Sequence, residues 1–566
     1  MELLITLGHN ASAIGIKDNE IIAAYEEERL TGIKSCSLFA ENSIRKIFEL
    51  SPPNPDKDNT IYVSHWFDNF LFYQKYNETI NKYYNYGFIN EIKEKYNFKL
   101  EILNEDFTHH DAHAWSAVSY YVSHNGREDA TVIVADGFGN NQEVLSVYEL
   151  SFNGGKKKTL MKDFNSSGYF KSLGLMYQYA TSFCGMKENQ DEYKFLGYES
   201  DIDSVCSDED IDKLNMIAKS VIKTMFDLLM YESNSGNHSS DYINIDELQQ
   251  TKEVWYQDFE NMVECLDVRM DENIKRIVVG YYIQKIIEGV HVLIIEKFNI
   301  KNVILTGGIY YNVKLNNKIM NEIEGDICIC PVCGDQGAAI GLYEFQKNNF
   351  PFDSLLWGKR DEITDITVDY PDYIKCVGNQ DEMVDGVVEK LMDDKIVNIV
   401  FGNMEFGPRA LCHTSTLALP TKKNVEYINH LNKRNTVMPM APCILYEYID
   451  HFFKAEQFTR VIGSDQYMIL TYDYKIDYCE EYGGIMHKYP LINKYSGRPQ
   501  IVVDRDSTIY KILKRMEDKT KALINTSFNI HGKPIVFTVD QAMEDFFFQF
   551  ERADKNVYLF IGAYSE

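Results

Sequence analysis

The 566-residue chain has little positive charge: 57 lysines and arginines stand against 85 aspartates and glutamates, a formal net charge of −28. That balance disfavours a long, nonspecific grip on nucleic acid, which depends on cations neutralising phosphates, and leaves room for a local basic groove. Lys156 to Lys158, Lys422-Lys423 and Lys433-Arg434 are small basic groups that read as solvated faces. No basic segment followed by an apolar one opens at Met1, where Gly8, His9 and Asn10 interrupt early, and no apolar stretch of spanning length stands out. The expectation is therefore a cytoplasmic protein without membrane contact. The 11 cysteines are odd in number and irregularly spaced, which excludes a disulfide framework. Cys328, Cys330 and Cys333 form one cluster without the second ligand pair of a structural zinc site, and read as buried thiols at a strand end.

What is present is an ordinary globular composition in a chain too long for one core, given roughly 100–200 residues per domain. The chain is organised around His109-His110-Asp111-Ala112-His113 and the apolar run Thr131 to Ala135, which ends in Asp136-Gly137-Phe138-Gly139. If Thr108 to Val122 is helical, His109 and His113 project from one face, a spacing that suits a transition metal. HxxxH alone is short and common, and by itself favours a helix start with two solvated histidines. The acid and glycines at the end of the following strand shift the balance toward chemistry, because a carboxylate there can meet metal or phosphate.

Leu3 to Leu7, Ala11 to Ile16 and Ile21 to Tyr25 read as successive strands, with Asp18-Asn19 in a hairpin turn. Glu26-Glu27-Glu28-Arg29 reads as a charged helix start leading to Lys34, and the aromatic-rich stretch Tyr62 to Tyr96 as helices. Val144 to Phe152 continues the sheet, and Ser172 begins a helix that ends near Gly185, followed by Glu192-Tyr193-Lys194-Phe195-Leu196-Gly197. Asp201 to Gln250, acidic and polar, reads as an insertion or lid, loop-like at Ser233 to Asn237. Ile274 to Phe298 has helical apolar spacing and feeds the strand Val303 to Leu305, which ends at Thr306-Gly307-Gly308-Ile309. Ile327 to Cys330 then runs into Gly334-Asp335-Gln336-Gly337, placing Asp335 at a strand-to-helix turn where it could ligate a metal. Pro351 to Trp357 reads as a linker, Val397 to Gly402 as a strand, and Glu405 to Leu411 as a loop entering a helix, where Arg409 can fork around a phosphate. These strand ends suggest a duplicated α/β nucleotide fold with ATP in a central cleft.

The ordered motifs GHNASA, EEERL, HHDAHA, VIVADGFG, LTGGIYYN, CGDQGAAIGL, GNMEFGPRAL and NTSFNIHGKPIV cover nearly the whole chain and resemble the NodU/CmcH family of O-carbamoyltransferases. The resemblance implies an α/β fold: a duplicated RNase H-like domain of the actin/hexokinase type over residues 1–355, then an α/β YrdC-like domain over 365–566. It implies that carbamoyl phosphate reacts with ATP to give carbamoyl adenylate and pyrophosphate, and that an acceptor hydroxyl then displaces AMP. It implies a metal on His109, His113, Asp136 and Asp335, Fe(II) by family habit, with Mn(II) and Zn(II) equally suited to the ligands, and Mg accompanying ATP. His9 matches the family's early Gly-His pair and is the candidate for orienting or deprotonating the acceptor hydroxyl, with Asp136 beside the reacting groups. Lys34, Gly307, Gly308 and Asn312 match nucleotide-binding positions, and Arg409, Arg434, Arg498 and Asn525 match donor-binding ones.

The chain departs from that pattern at Thr414 and at Met438, where the family carries arginine, and at Cys412, where it carries glycine. His413, Lys433 or Lys533 would have to replace the missing cations. The acceptor is left between a sugar or natural product and a 5-hydroxymethyl pyrimidine in viral DNA, which would have to be flipped out of the duplex. The remaining partners are carbamoyl phosphate, ATP and a second copy of the chain in a homodimer. Rival readings are a tRNA threonylcarbamoyl-type enzyme and a nonenzymatic ATP-binding sensor; a hydrogenase-maturation carbamoyltransferase would need acylphosphatase and paired-cysteine zinc modules, and the sequence shows neither.

Overall fold

The computed structural model describes all residues except 9, 38, 65–85, 105, 154–156, 232–243, 353, 362–371, 435–438 and 565–566. His9, Met438, the Ser233 to Asn237 loop and the boundary near Asp365 therefore lie outside the described residues.

Strands β1 (Glu2–Thr6), β2 (Ser12–Lys17) and β3 (Glu20–Glu26) form an antiparallel meander. Asp18 and Asn19 turn the β2–β3 hairpin with φ of 52° and 66°, the left-handed pair that matches strand twist. Strand β4 (Asn59–Val63) pairs parallel to β1, and β5 (Phe98–Ile102) parallel to β4, giving the order β3-β2-β1-β4-β5. The same plan recurs in β6 (Ala130–Ala135), β7 (Glu143–Asn153), β8 (Lys157–Ser167), β9 (Val303–Thr306) and β10 (Ile327–Ile329), ordered β10-β9-β6-β7-β8. Three antiparallel strands and two parallel ones, in equivalent order, are the duplicated RNase H-like arrangement that the sequence implied.

A third, seven-stranded sheet follows, ordered β11-β20-β12-β13-β19-β14-β18. Its strands are β11 (Ile374–Val377), β12 (Ile396–Val400), β13 (Thr414–Ala418), β14 (Ala441–Leu445), β18 (Gln500–Val502), β19 (Ala522–Ser527) and β20 (Val557–Gly562). Short strands β15 (Tyr472–Asp473), β16 (His487–Lys488) and β17 (Tyr495–Gly497) make a small separate sheet in the excursion between β14 and β18. That excursion docks on the N-terminal half: Ile462 N–H donates to Ile327 O at 2.9 Å, and Asn316 and Asn317 donate to Ile469 O and Thr471 O.

Several sequence expectations change. Tyr62 lies in β4 rather than in a helix, because Ile61, Tyr62 and Val63 are buried in a central sheet; Tyr86–Tyr96 is helical. The acidic insertion is no loose lid: Asp208–Met230 and Ile245–Glu264 are helices whose apolar faces, including Met225, Leu229, Trp255 and Phe259, are buried. Glu272–Phe298 is a helix long and apolar enough to cross a membrane by length and composition, but most of its apolar part is packed inside the fold. Pro351 to Trp357 is a packed strap, with Phe352, Leu355 and Trp357 buried and Trp357 O accepting from Ala24 N–H at 3.0 Å. Glu405 to Leu411 enters strand β13, not a helix. The Glu405 carboxylate accepts N–H bonds from Leu411, His413 and Thr414 at 2.7 to 3.0 Å and curls the loop on itself, and Thr414-Ser415-Thr416 favours extended backbone.

The helix His109–Ser123 is fixed by its ends and its back. Thr108 and Asp111 form a reciprocal capping box, and Ala112, Ala114 and Ala117 are fully buried. Gly341, on the helix Ala338–Lys347, approaches so closely that an added Cβ would overlap Ala112 O. Gly341→Ala is therefore expected to destabilise the fold by about 1–3 kcal/mol, read as a lower urea midpoint. A wild-type midpoint would show that the two helices do not meet this tightly.

Candidate active site

Four side chains from three stretches converge at the ends of β6 and β10. His109 and His113 come from the capped helix, Asp136 from the end of β6, and Asp335 from the turn after β10. One ligand atom of each lies within 4.8 Å of all the others. His109 Nε2 is 3.0 Å from His113 Nε2, 3.2 Å from Asp136 Oδ2 and 3.4 Å from Asp335 Oδ1. His113 Nε2 is 3.6 Å from the same two oxygens. Burial disfavours an imidazolium at His109, yet hydrogen bonds and attraction from Asp136 and Asp335 carry its pKa up to about 10. Burial opposes the Asp136 carboxylate, but hydrogen bonds from His109 and His113 hold it well below the usual range.

The donor set suits a divalent transition ion. Two imidazole nitrogens facing each other at 3.0 Å beside two carboxylates need a cation between them, which a proton supplies only in part. Neighbouring groups orient the set. Gly308 N–H donates to Asp136 Oδ1 at 3.1 Å, and Asn140 Oδ1 accepts from His109 N–H at 2.8 Å. Gly307, at φ +105°, lies so close to β6 that an added Cβ would overlap Ala135 O. Gly307 does not line the cavity, and it lets Gly308 reach Asp136.

The metal group opens into a cavity of about 980 Å³ shared by both halves of the chain. His109, Asp136, Asp335, Lys34, Gly308 and Asn312 line it from the N-terminal half, and Arg409, Arg434, Arg498 and Asn525 from the C-terminal half. His113 lies behind, fully buried. The Asn312 amide is largely occupied: its Oδ1 caps the following helix at Leu315 N–H, 3.0 Å away, and its Nδ2 donates to Gln284 at 2.8 Å.

The three arginines carry no carboxylate partner among the described residues. Arg434 donates to Thr526 Oγ1, Ser527 O and Asn529 Oδ1, all neutral, at 2.8 Å. Burial presses the Arg409 guanidinium toward its neutral form, and Arg409 Nε is buried without a partner. Burial, and then repulsion from Arg409, do the same more strongly at Arg498. Enclosed cations without counterions are costly, and an anionic ligand removes that cost.

The Arg409 loop is tied across the two halves. Glu26 Oε2 accepts from Gly407 N–H at 3.2 Å while Arg29 donates to Gly407 O at 2.9 Å, so an ion pair holds the two peptide groups that flank one residue. This is the role of the acid run that the sequence left as a charged helix start. Of the three replacements for the departed arginines, Lys533 lines the cavity, ion-paired to Asp545 at 2.9 Å. His413 stacks on Phe401, and Lys433 lies over Phe548. Thr414 is buried and accepts from Arg360.

Sequence reasoning missed Lys194, His531 and Tyr311, which also line the cavity. Each lies inside a stretch singled out for other residues, and only the fold shows which way they point.

With this geometry in place, comparison with known proteins is direct. Residues 3–342 match the description Carbamoyltransferase N-terminus and residues 388–561 match Carbamoyltransferase C-terminus, so the chain belongs to the carbamoyltransferase family and is an enzyme. It is similar to Uncharacterized protein MJ1051 of Methanocaldococcus jannaschii, 28% identical over 96% of both chains. It is also similar to Nodulation protein NolNO of Sinorhizobium fredii, 25% identical over 96% of this chain and 78% of that protein. The structure of a P. abyssi Sua5 variant aligns with 33% of this chain and 48% of its own, at 15% identity and a TM-score of 0.22.

Metal affinity is expected to rise with pH. Without metal, His109 keeps its proton up to about pH 10, so binding must displace it. Affinity then climbs by about tenfold per pH unit across pH 6.5 to 10, where an ordinary imidazole would give a plateau. Calorimetric titration with Mn(II) at several pH values checks this, and a flat profile would contradict it. Stability runs oppositely in the metal-free protein: the His109 contribution is complete below pH 6.5 and is lost as pH rises toward 10.

Proposed function

We propose that the chain is an ATP-dependent O-carbamoyltransferase that moves a carbamoyl group from carbamoyl phosphate, through carbamoyl adenylate, to an acceptor hydroxyl. In this reading residues 365–566 form the adenylate and residues 1–355 carry out the transfer. The observation that carries it is the shared cavity, in which unpaired guanidiniums and a four-ligand metal group face the same space. Catalysis of this kind needs cations where a phosphate is held and a second charge centre where a phosphate departs.

Arg409 and Arg498, adjacent and without acidic partners, bind the phosphate of the donor. Water releases phosphate from carbamoyl phosphate and leaves carbamate. A carbamate oxygen attacks the α-phosphorus of ATP and expels pyrophosphate. A carbamoyl group is a poor electrophile until its oxygen carries a good leaving group, and adenylation supplies one. Asn525, held by Ala410 O at 2.9 Å and Gln500 at 2.6 Å, keeps Oδ1 without a partner for the carbamoyl amide. The acceptor oxygen then attacks the carbamoyl carbon, the bond to the phosphate oxygen breaks, and AMP leaves. In this reading His9 takes the alcohol proton. His109, His113, Asp136 and Asp335 would hold a divalent ion, which would supply Lewis-acid neutralisation of negative charge on a phosphate.

The acceptor we favour is a small hydroxylated molecule rather than DNA. Glu188 and Glu192 line the same cavity, and a chain of net charge −28 repels a polyanion. Mass spectrometry of candidate sugars, with hydroxymethylcytosine DNA alongside, should show a carbamoyl mass gain on a sugar and none on the DNA.

Pyrophosphate release from ATP is expected to require carbamoyl phosphate. Arg409→Gln should lower kcat/KM for carbamoyl phosphate by about 100-fold, with Mn(II) binding retained. Release that ignores carbamoyl phosphate, or the absence of any release, would contradict the proposal.

A further inference from the structure

Tyr310 and Tyr311 end the one-turn helix Gly308–Tyr311 and face different ways. Tyr310 is fully buried, and its hydroxyl lies 3.2 Å from His291 Nε2 in the core. Tyr311 is part-buried, lines the shared cavity and takes no part in the steps above. Its ring lies against the turn Gly334-Asp335-Gln336, where an added Cβ at Gly334 would stand 3.0 Å from Tyr311 Cε2. The side chain therefore joins the turn whose Gly308 N–H holds Asp136 to the turn that carries Asp335.

The Tyr311 hydroxyl oxygen is held from two sides. It accepts from Gly334 N–H at 3.2 Å and from the Gln336 side-chain amide. The Gln336 carbonyl in turn accepts from Asn10 Nδ2 at 3.2 Å, which sets the direction of that amide. A hydroxyl offers two lone pairs and one hydrogen, so with both lone pairs engaged only the hydrogen is left to place. Among the described residues no acceptor takes it, and the cavity is the open direction. Burial, and after it the nearby Cys333, pushes the phenol well above its usual pKa, so it is a neutral donor at any working pH. Arg409 is its electrostatic neighbour. The hydroxyl thus touches the Asp335 turn and stands close to the guanidinium that binds the donor.

We propose that the Tyr311 hydroxyl is a catalytic hydrogen-bond donor to the carbamoyl oxygen, stabilising the charge that gathers there when the acceptor attacks. The inference rests on the adenylate reading above and adds a residue to it. An adenylate that reaches from the Asp335 turn to Arg409 presents its carbamoyl oxygen to this hydroxyl. In the transfer step the acceptor oxygen bonds to the carbamoyl carbon and the C=O electron pair moves onto oxygen. Its return breaks the bond to the phosphate oxygen and expels AMP. The phenol keeps its proton throughout. A donor already fixed by Gly334 and Gln336 costs no reorganisation at the moment of reaction.

The same hydrogen bond weakens the C=O bond before attack, so isotope-edited infrared spectroscopy reads it directly. The probes are ATP and 13C-labelled carbamoyl phosphate, added to the metal-loaded full chain without an acceptor. The wild type should show bound adenylate whose carbonyl band lies at lower wavenumber than that of free carbamoyl adenylate. Tyr311→Phe keeps the ring and its packing; its band should move back to higher wavenumber while carbamoyl-phosphate-dependent pyrophosphate release persists. Decay of its adenylate to AMP, with water as the acceptor, should slow by about 100-fold. Tyr193→Phe removes another phenol from the cavity wall and should leave the band in place. An unmoved band in Tyr311→Phe, with adenylate present in both proteins, would overturn this role and leave the proposed function standing. Loss of pyrophosphate release in Tyr311→Phe would also overturn it, because the hydroxyl would then act before transfer. No adenylate in the wild type would sink the proposed function, and this role with it.

Discussion

Two carboxylates and two imidazoles crowded within 4.8 Å, mostly away from water, set the constraint on which the rest of the structure depends. Such a group is stable only with positive charge at its centre, and the metal-free protein meets the demand by holding a proton on His109. The surrounding architecture keeps the group together at the cost of sequence freedom. Gly307 and Gly308 exist so that one turn can reach Asp136, and Gly341 exists so that one helix can press against the backbone between the two histidines. β6 and β10 lie in one sheet with only β9 between them, which is how Asp136 and Asp335, far apart in sequence, come to face the two histidines.

The second half of the molecule adds opposite electrostatics to the same cavity. Guanidiniums without acidic partners line one wall while carboxylates and imidazoles line another, and the space between them is where an anionic, activated intermediate would be stable. The halves are not loosely tethered. The Glu26–Arg29 pair holds the two peptide groups that flank Gly407, the strap at Trp357 hydrogen-bonds to β3, and the excursion between β14 and β18 pairs with β10. Losing any of these contacts would move Arg409 relative to Asp335 without touching either residue.

Much of this was legible in the sequence. Thr108 and Asp111 announce the start of the metal helix, the four-residue spacing of His109 and His113 fixes their common face, and the strand periodicities place Asp136 and Asp335 at strand ends. Residues whose role depends on tertiary direction were not legible. Nothing local distinguishes Lys194 from any lysine on a charged turn, or Glu26 from a helix-start acid. The loop after Glu405 was misread as entering a helix because the side-chain cradle that turns it into β13 is formed by backbone N–H groups six to nine residues downstream. The acidic stretch reads as an insertion or lid, and its polar composition concealed the spacing that turns Met225, Leu229, Trp255 and Phe259 toward the core.

The account requires that the ion held by His109, His113, Asp136 and Asp335 and the nucleotide phosphate occupy one cavity. The most direct measurement is 31P relaxation of AMP bound to the enzyme loaded with one equivalent of Mn(II). Strong paramagnetic broadening of the phosphate signal, abolished by Asp335→Asn together with loss of tight Mn(II) binding, is the predicted result. A sharp phosphate signal from bound AMP, with the metal stoichiometrically in place, would contradict the account.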